Sequence, residues 1–137
     1  MSEHETAIGV KCIDHVTLVV NDLEQSRKFY VNGLGMVEVE RPGFSFQGLW
    51  FQAGDTQIHL ILQHSASGPA GDEASSSLRT SRAHHFAFEV EDANEAAKRI
   101  EQLGLDRISG PQRRPDGFLQ VFVSDPDGYI VELCSPS

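Results

Sequence analysis

The sequence predicts an α+β fold made of two βαβββ modules, and three observations predict it. A segment nearly occurs twice, with a histidine at the same place: Ile13-Asp14-His15-Val16-Thr17-Leu18-Val19-Val20-Asn21-Asp22, and Ala83-His84-His85-Phe86-Ala87-Phe88-Glu89-Val90-Glu91-Asp92. An ungapped shift of 70 superposes His15 on His85, Asp22 on Asp92 and Lys28 on Lys98. Each copy leads into a run with helical spacing, closed by Leu34-Gly35 in the first half and Leu103-Gly104 in the second. Each half then offers three short segments with the period of a strand.

In the first half, Cys12 to Val20 is rich in β-branched residues and alternates. His15, Thr17 and Val19 share one face of that strand; Val16, Leu18 and Val20 share the other. Asp22 is a suitable N-cap, Leu23, Phe29 and Tyr30 recur at helical spacing, and Gly33 and Gly35 stop the helix. Met36–Glu40, Gly48–Gln52 and Thr56–Leu62 read as strands, the last two separated by a turn at Ala53-Gly54-Asp55.

The stretch from Ser65 to Arg82 is rich in Ser, Gly and Ala and has no periodicity, so it reads as a linker, either a plain connector or an active-site flap. The second half repeats the order. His84–Val90 is a strand, and Asp92 caps a helix with Ala93, Ala96, Ala97, Ile100 and Leu103 on its apolar side. Arg107–Ser109 is a weak strand and Leu119–Val123 another; Asp125-Pro126-Asp127-Gly128 is a strong turn signal before a last strand, Tyr129–Cys134. With the shift increased to 71, Phe51 falls on Phe122. The expected organisation is a loose tail over 1–9 and a single domain over 10–135, with module 1 at 10–63, a linker at 64–83 and module 2 at 84–135.

Composition narrows the function classes. A net charge of −9 speaks against nucleic acid or an anionic membrane as partner. No apolar run approaches the ~18 residues of a spanning helix, and the polar Met1–Gly9 segment is no signal peptide. Cys12 and Cys134 lie near opposite ends with no C-x-x-C, so a cytoplasmic protein with reduced thiols is expected.

The last strand of each module carries the most chemistry. Aligning Ile58-His59-Leu60 with Val131-Glu132-Leu133 puts His59 opposite Glu132. Their apolar neighbours point to the core, so His59 and Glu132 point to the other face, as do His15 and His85. Imidazole and carboxylate side chains on an enclosed face are costly unless paired or bound to a cation. Three imidazoles and one carboxylate suit a divalent first-row metal, so His15, His59, His85 and Glu132 form a candidate metal set. Any one of these residues alone is more commonly structural or solvated; their joint placement in a repeat favours the site. His4 lies in the tail, His64 starts the linker, and His84 is out of register with His85.

On these residues the sequence resembles the vicinal oxygen chelate superfamily of glyoxalases, bleomycin-resistance proteins, fosfomycin-resistance enzymes and extradiol dioxygenases. The resemblance runs from about Val10 to Cys134. It is carried by Asp14 to Val20, by Phe29-Tyr30 with Gly33-Leu34-Gly35, by His85-Phe86-Ala87-Phe88, and by Asp125-Pro126-Asp127-Gly128 leading to Glu132. It implies two βαβββ modules forming a cup-shaped mixed sheet with helices outside, around a divalent metal (zinc, nickel, cobalt, manganese or iron). It also implies a homodimer in which His15 and His59 come from one subunit and His85 and Glu132 from the other.

The resemblance is closest to glyoxalase-like proteins, and it implies a lyase- or isomerase-type enzyme that binds vicinal oxygens of a small substrate on the metal. Glyoxalase I usually has a glutamate where this chain has His59, which leaves Glu132 as the carboxylate ligand and the candidate catalytic base. Glu89, on the His85 face, is a second candidate, more commonly a solvated strand end. The alternatives are a small extradiol-type dioxygenase, whose two-histidine-one-glutamate set is present as His15, His85 and Glu132, or a fosfomycin- or bleomycin-resistance-like protein, for which Arg79 and Arg82 are possible anion ligands. Phe44, Phe46 and Trp50 are candidates for a specificity wall, although such aromatics more often fill a core. Arg113 and Arg114 could bind a carboxylate, although paired arginines before a Pro-Asp-Gly turn are usually solvated.

Overall fold

The structure, a computed structural model, describes residues 6–71 and 79–137. His4 and most of the 1–9 tail, together with the middle of the linker, lie outside the described residues.

Alternating side chains generate β1 (His15–Val20), whose Leu18 and Val20 are buried while His15 and Thr17 are exposed. Asp22 then caps α1 (Leu23–Arg27), its Oδ1 accepting from the amides of Glu24 (2.9 Å) and Gln25 (3.1 Å). The helix continues over Lys28–Gly33 in a wider winding, with the Leu34 amide reaching back to the Phe29 carbonyl at 2.8 Å. That winding lets the adjacent Phe29 and Tyr30 both enter the core, which a regular turn separates by about 100°. After β2 (Val37–Val39) come β3 (Gly48–Ala53) and β4 (Thr56–Leu62), joined by a tight turn in which Gly54 takes φ = 59°. The spatial order is β1-β4-β3-β2, with β1 parallel to β4 and the other pairings antiparallel.

The second module repeats this plan. It comprises β5 (Phe86–Glu89), α2 (Ala93–Gln102) capped by Asp92, β6 (Asp106–Arg113), β7 (Leu119–Ser124) and β8 (Ile130–Ser135), in the spatial order β5-β8-β7-β6. The α+β class and the two βαβββ units are as expected. The strand expected at His84–Val90 is shorter, because pairing with β8 begins only at Phe86↔Val131. The strand expected at Arg107–Ser109 is longer. Gly110-Pro111 hides its continuation in the sequence, and the ladder to β7 absorbs it with register shifts between Arg107 and Gln112. A proline is tolerated there because β6 is an edge strand.

One correction to the repeat concerns its third strands. Trp50 pairs with His59, and Phe122 pairs with Glu132, so Trp50 and Phe122 are the equivalent positions, not Phe51 and Phe122. A one-residue slip in a strand exchanges its faces; Phe51 faces Ile58 and the core instead.

The core faces of both sheets meet in one apolar cluster. Leu18, Val20, Phe51, Ile58 and Leu60 come from the first sheet, and Val121, Val123, Val131 and Leu133 from the second, with Phe29, Tyr30 and Ile100 supplied by the helices. Fully burying each such side chain contributes about 1.5–3 kcal/mol. The modules are also fastened by polar contacts at the Asp125–Tyr129 turn. Tyr30 Oη donates to Asp125 Oδ2 (2.8 Å), the Asn21 amide and Nδ2 donate to Asp127 Oδ1 (3.0 Å each), and Tyr129 Oη donates to the Val19 carbonyl (2.8 Å). Asp125 is 3% exposed, and burial pushes its pKa up to about 6.

Candidate metal centre

Because both sheets turn Ile58, Leu60, Val131 and Leu133 into a common core, the alternate residues His59 and Glu132 lie on the opposite faces of their sheets. Within one chain the four candidate residues therefore divide into two pairs. Among the described residues, no three His, Cys, Asp or Glu side chains of one chain converge as a metal site.

The first pair is His15 and His59. Their rings stack with centroids 4.0 Å apart and planes at 15°. Trp50 covers the other face of His59 at 3.8 Å with the planes parallel. This follows from register, since Thr17, His59 and Trp50 are consecutive neighbours across β1, β4 and β3. His15 Nδ1 lies 2.8 Å from Asp14 Oδ2, which as a carboxylate can only accept, so Nδ1 carries a proton. His59 Nε2 contacts Gln57 Oε1 at 2.8 Å. Burial lowers the His59 pKa, and neighbouring His15 lowers it further, which disfavours the charged ring.

The second pair is His85 and Glu132. His85 Nδ1 lies 2.8 Å from the Ala83 carbonyl and therefore carries a proton; its Nε2 faces Glu132 Oε1 at 3.1 Å. A lone pair against a carboxylate oxygen repels, so this approach needs a positive charge at Nε2, which is either a second proton or a metal ion. Glu132 is 4% exposed. Its Oε2 accepts from Gln120 Nε2 (3.2 Å) and Arg114 Nη1 (3.3 Å). Arg114 also bonds Asp116 at 2.6 Å and lies 4.7 Å over the Phe118 ring. Those partners raise the Arg114 pKa, the Asp116 hydrogen bond most, and Asp116 is lowered in turn. Phe122 meets the His85 ring edge-to-face at 5.2 Å, the counterpart of Trp50 on His59.

The donor set fits a divalent cation on chemical grounds. His15 and His85 each have Nδ1 anchored on an acceptor, which leaves Nε2 as the ring nitrogen to offer a metal, the arrangement that ligating imidazoles commonly adopt. Glu132 is a buried carboxylate with one oxygen tied to donors and the other turned to His85.

Several functional neighbours were not evident from sequence. Of the two arginines that could bind a carboxylate but are usually solvated, Arg114 reaches Glu132, and Gln57 and Gln120 carry no periodic signal. Trp50 belongs to the candidate site rather than to the core. Phe44 and Phe46 stack at 5.1 Å, with the Arg41 guanidinium 4.8 and 5.0 Å from their rings, and Phe44 is 6.2 Å from Trp50. Together they extend an aromatic surface outward from His59. Glu89 is exposed beside Cys134. Arg79 donates to Ser124 Oγ at 2.8 Å and so is engaged away from both pairs. A cleft of about 830 Å³ opens on the core side of the modules, lined by Val16, Ile58, Phe88, Ile100 and Leu133; of the four candidate residues only His85 borders it.

Comparison with known proteins supplies a family. The family model described as Glyoxalase/Bleomycin resistance protein/Dioxygenase superfamily matches residues 12–133. A lactoylglutathione lyase of Neisseria meningitidis is 33% identical over 124 residues, covering 87% of this chain and 86% of that one. Glyoxylase I 4 of Arabidopsis thaliana is 27% identical over 127 residues, 90% of this chain and 70% of that protein. Among solved structures, a glyoxalase family protein from Bacillus anthracis aligns with a TM-score of 0.73 at 25% identity, covering 94% of this chain and 98% of that one. A fosfomycin resistance protein from Listeria monocytogenes, at 20% identity and a TM-score of 0.69 over 94% of this chain and 96% of that one, shares the fold.

Proposed function

This chain belongs to the glyoxalase/bleomycin resistance protein/dioxygenase superfamily, and from that premise we propose that it is a metal-dependent, glyoxalase-like enzyme of the lyase or isomerase type. Its site is assembled in a homodimer: His15 and His59 of one subunit and His85 and Glu132 of the other hold one divalent cation. Zinc, nickel, cobalt, manganese and iron all suit an imidazole-carboxylate donor set. The observation that carries the proposal is the His85–Glu132 contact, where an imidazole nitrogen, Nε2, and a buried carboxylate oxygen stand 3.1 Å apart. Support for two subunits comes from the shared core, which turns the two pairs to opposite faces. In addition, β1 and β5 end their sheets, each with one pairing edge free among the described residues.

A divalent cation bound there polarises the vicinal oxygens of a small substrate and stabilises negative charge that develops on them. The chain's own residues do the rest. Glu132, held by Gln120 and Arg114, is the base that moves a proton. The aromatic surface of Trp50, Phe44 and Phe46 excludes water and seats the substrate's apolar portion. The unpaired Cys12 and Cys134 agree with work in a reducing cytoplasm. Among the described residues no helix is long and apolar enough to cross a membrane.

The test is metal content and turnover. Protein purified without chelator should carry about one divalent ion per chain and isomerise a hemithioacetal of an α-ketoaldehyde. Metal-free protein with no affinity for added zinc, nickel or cobalt overturns the proposal. A second reading has one observation in its favour. His59 Nε2 is engaged by Gln57, which leaves His15, His85 and Glu132 as a two-histidine-one-carboxylate set, the pattern of the dioxygenase and fosfomycin branches. Iron content with ring cleavage of a catechol, or fosfomycin opening, marks that outcome.

A further inference from the structure

The polar side chains behind His59 form a chain with only one self-consistent direction. Gln52 Nε2 lies 2.6 Å from the Gly54 carbonyl oxygen, in the turn between β3 and β4. A carbonyl only accepts, so the Gln52 amide nitrogen must face it and Gln52 Oε1 must face the other way. That oxygen is 2.9 Å from Gln57 Nε2, which fixes the second amide in turn. Gln57 Oε1 is then left 2.8 Å from His59 Nε2. Reversing either amide sets oxygen against oxygen. His59 Nε2 must therefore carry a proton, and Nδ1 holds the ring's lone pair. His15 and His85 differ, because Asp14 and the Ala83 carbonyl hold a proton at their Nδ1 atoms.

We propose that Gln57 and Gln52 are positioning residues that hold His59 as its Nε2–H tautomer, so that the third histidine of the set offers Nδ1 where the other two offer Nε2. Register makes this possible: Gln52 and Gln57 are cross-strand partners, and Gln57 is the parallel partner of His15. The stack of Trp50 and His15 on the two faces of His59 prevents the ring from tilting out of the relay's plane. The second module has a matching device. Gln112 Nε2 donates to Gln120 Oε1 (3.1 Å), and Gln120 Nε2 donates to Glu132 Oε2 (3.2 Å). In each half, two glutamines thus orient the candidate residue of the last strand, donating to the carboxylate in one and accepting from the imidazole in the other.

The assignment of tautomers stands without a metal; its consequence for binding rests on the function proposed above. The experiment uses the 15N-labelled chain, freed of metal with a chelator, at about pH 8, above the usual imidazole pKa of about 6.5. Two-bond 1H–15N correlation spectra report which ring nitrogen is protonated, and His59→Gln identifies the His59 signals by their loss. Wild type should show His59 protonated at Nε2, and His15 and His85 protonated at Nδ1. Gln57→Leu should shift His59 toward a mixture of tautomers, whereas Gln57→Glu, which still accepts from Nε2, should preserve the wild-type pattern. If Gln57→Leu does not fold, Gln52→Leu removes the anchor and should loosen the same preference. Wild-type His59 protonated at Nδ1, or a pattern unmoved in the leucine variants, overturns the proposal. A zinc titration forms the second arm. Gln57→Leu should weaken zinc binding by about the 10–100-fold typical of losing an orienting neighbour. Tighter zinc binding in that variant shows Gln57 competing for Nε2 and overturns the Nδ1 assignment. Failure of wild type to bind zinc, nickel or cobalt overturns the functional reading instead and leaves the tautomer result standing.

Discussion

His85 Nε2 and Glu132 Oε1 stand 3.1 Å apart, while the other ring nitrogen, Nδ1, holds its proton against the Ala83 carbonyl. Substituting Glu132→Gln keeps the shape and removes the charge. Metal-dependent stabilisation should then disappear: the ~2.7 kcal/mol expected of a ligand at 100 times its Kd is present in thermal unfolding of wild type with cobalt and absent in the variant. If cobalt stabilises both proteins equally, Glu132 is not a ligand.

The division of the four residues between two faces makes a complementation test possible. His15→Ala and Glu132→Ala should each abolish metal binding alone. A refolded equal mixture should regain about a quarter of the wild-type sites, because half the dimers are mixed and each mixed dimer holds one intact site. No recovery indicates that each site is built within one chain.

Trp50 is the sole tryptophan of the chain and lies parallel to His59 at 3.8 Å. Their stacking is a direct pairwise contact, so a double-mutant cycle with Trp50→Leu and His59→Leu should return a coupling of about 0.5–1.5 kcal/mol. Additive effects in urea unfolding would show that the rings are adjacent without being coupled.

The pH dependence of stability should carry the signature of Asp125. Its carboxyl titrates near 3.8 when exposed and is pushed up to about 6 in the folded chain. A folded pKa that is raised contributes stability present at low pH and lost as pH rises from about 4 through 6. A shift of this size amounts to about 3 kcal/mol. Stability of the wild type relative to Asp125→Asn should therefore decline between pH 4 and 8, and parallel curves would contradict this. Tyr30→Phe, which withdraws the donor from Asp125 Oδ2, should cost about 1–3 kcal/mol.

Much of this site was legible because strands encode facing with a period of two. Ile58 and Leu60 flank His59, and Val131 and Leu133 flank Glu132, which is enough to place both away from the core. The repeat supplied the pairing of His15 with His85. What period two cannot encode is which residues are cross-strand neighbours. The Gln52–Gln57 relay, the stacking of Trp50 and the equivalence of Trp50 with Phe122 all depend on the register of β3 and β7, which the turns set. The reach of Arg114 to Glu132 was hidden for another reason. A long side chain beside a Pro-Asp-Gly turn carries no facing signal, and its path over the Phe118 ring is a tertiary fact.

The turn at Asp125-Pro126-Asp127-Gly128 grips the first module through Tyr30 and Asn21, and Tyr129 just beyond it grips Val19. The halves are thus joined twice, once by peptide bonds and once by side chains, and the second bond does not need the first. The molecule is in effect divisible: a chain cut by protease at the exposed Ser65–Ala66 should still elute from a sizing column as a single species, with both fragments present and the Ala83 carbonyl still beside His85.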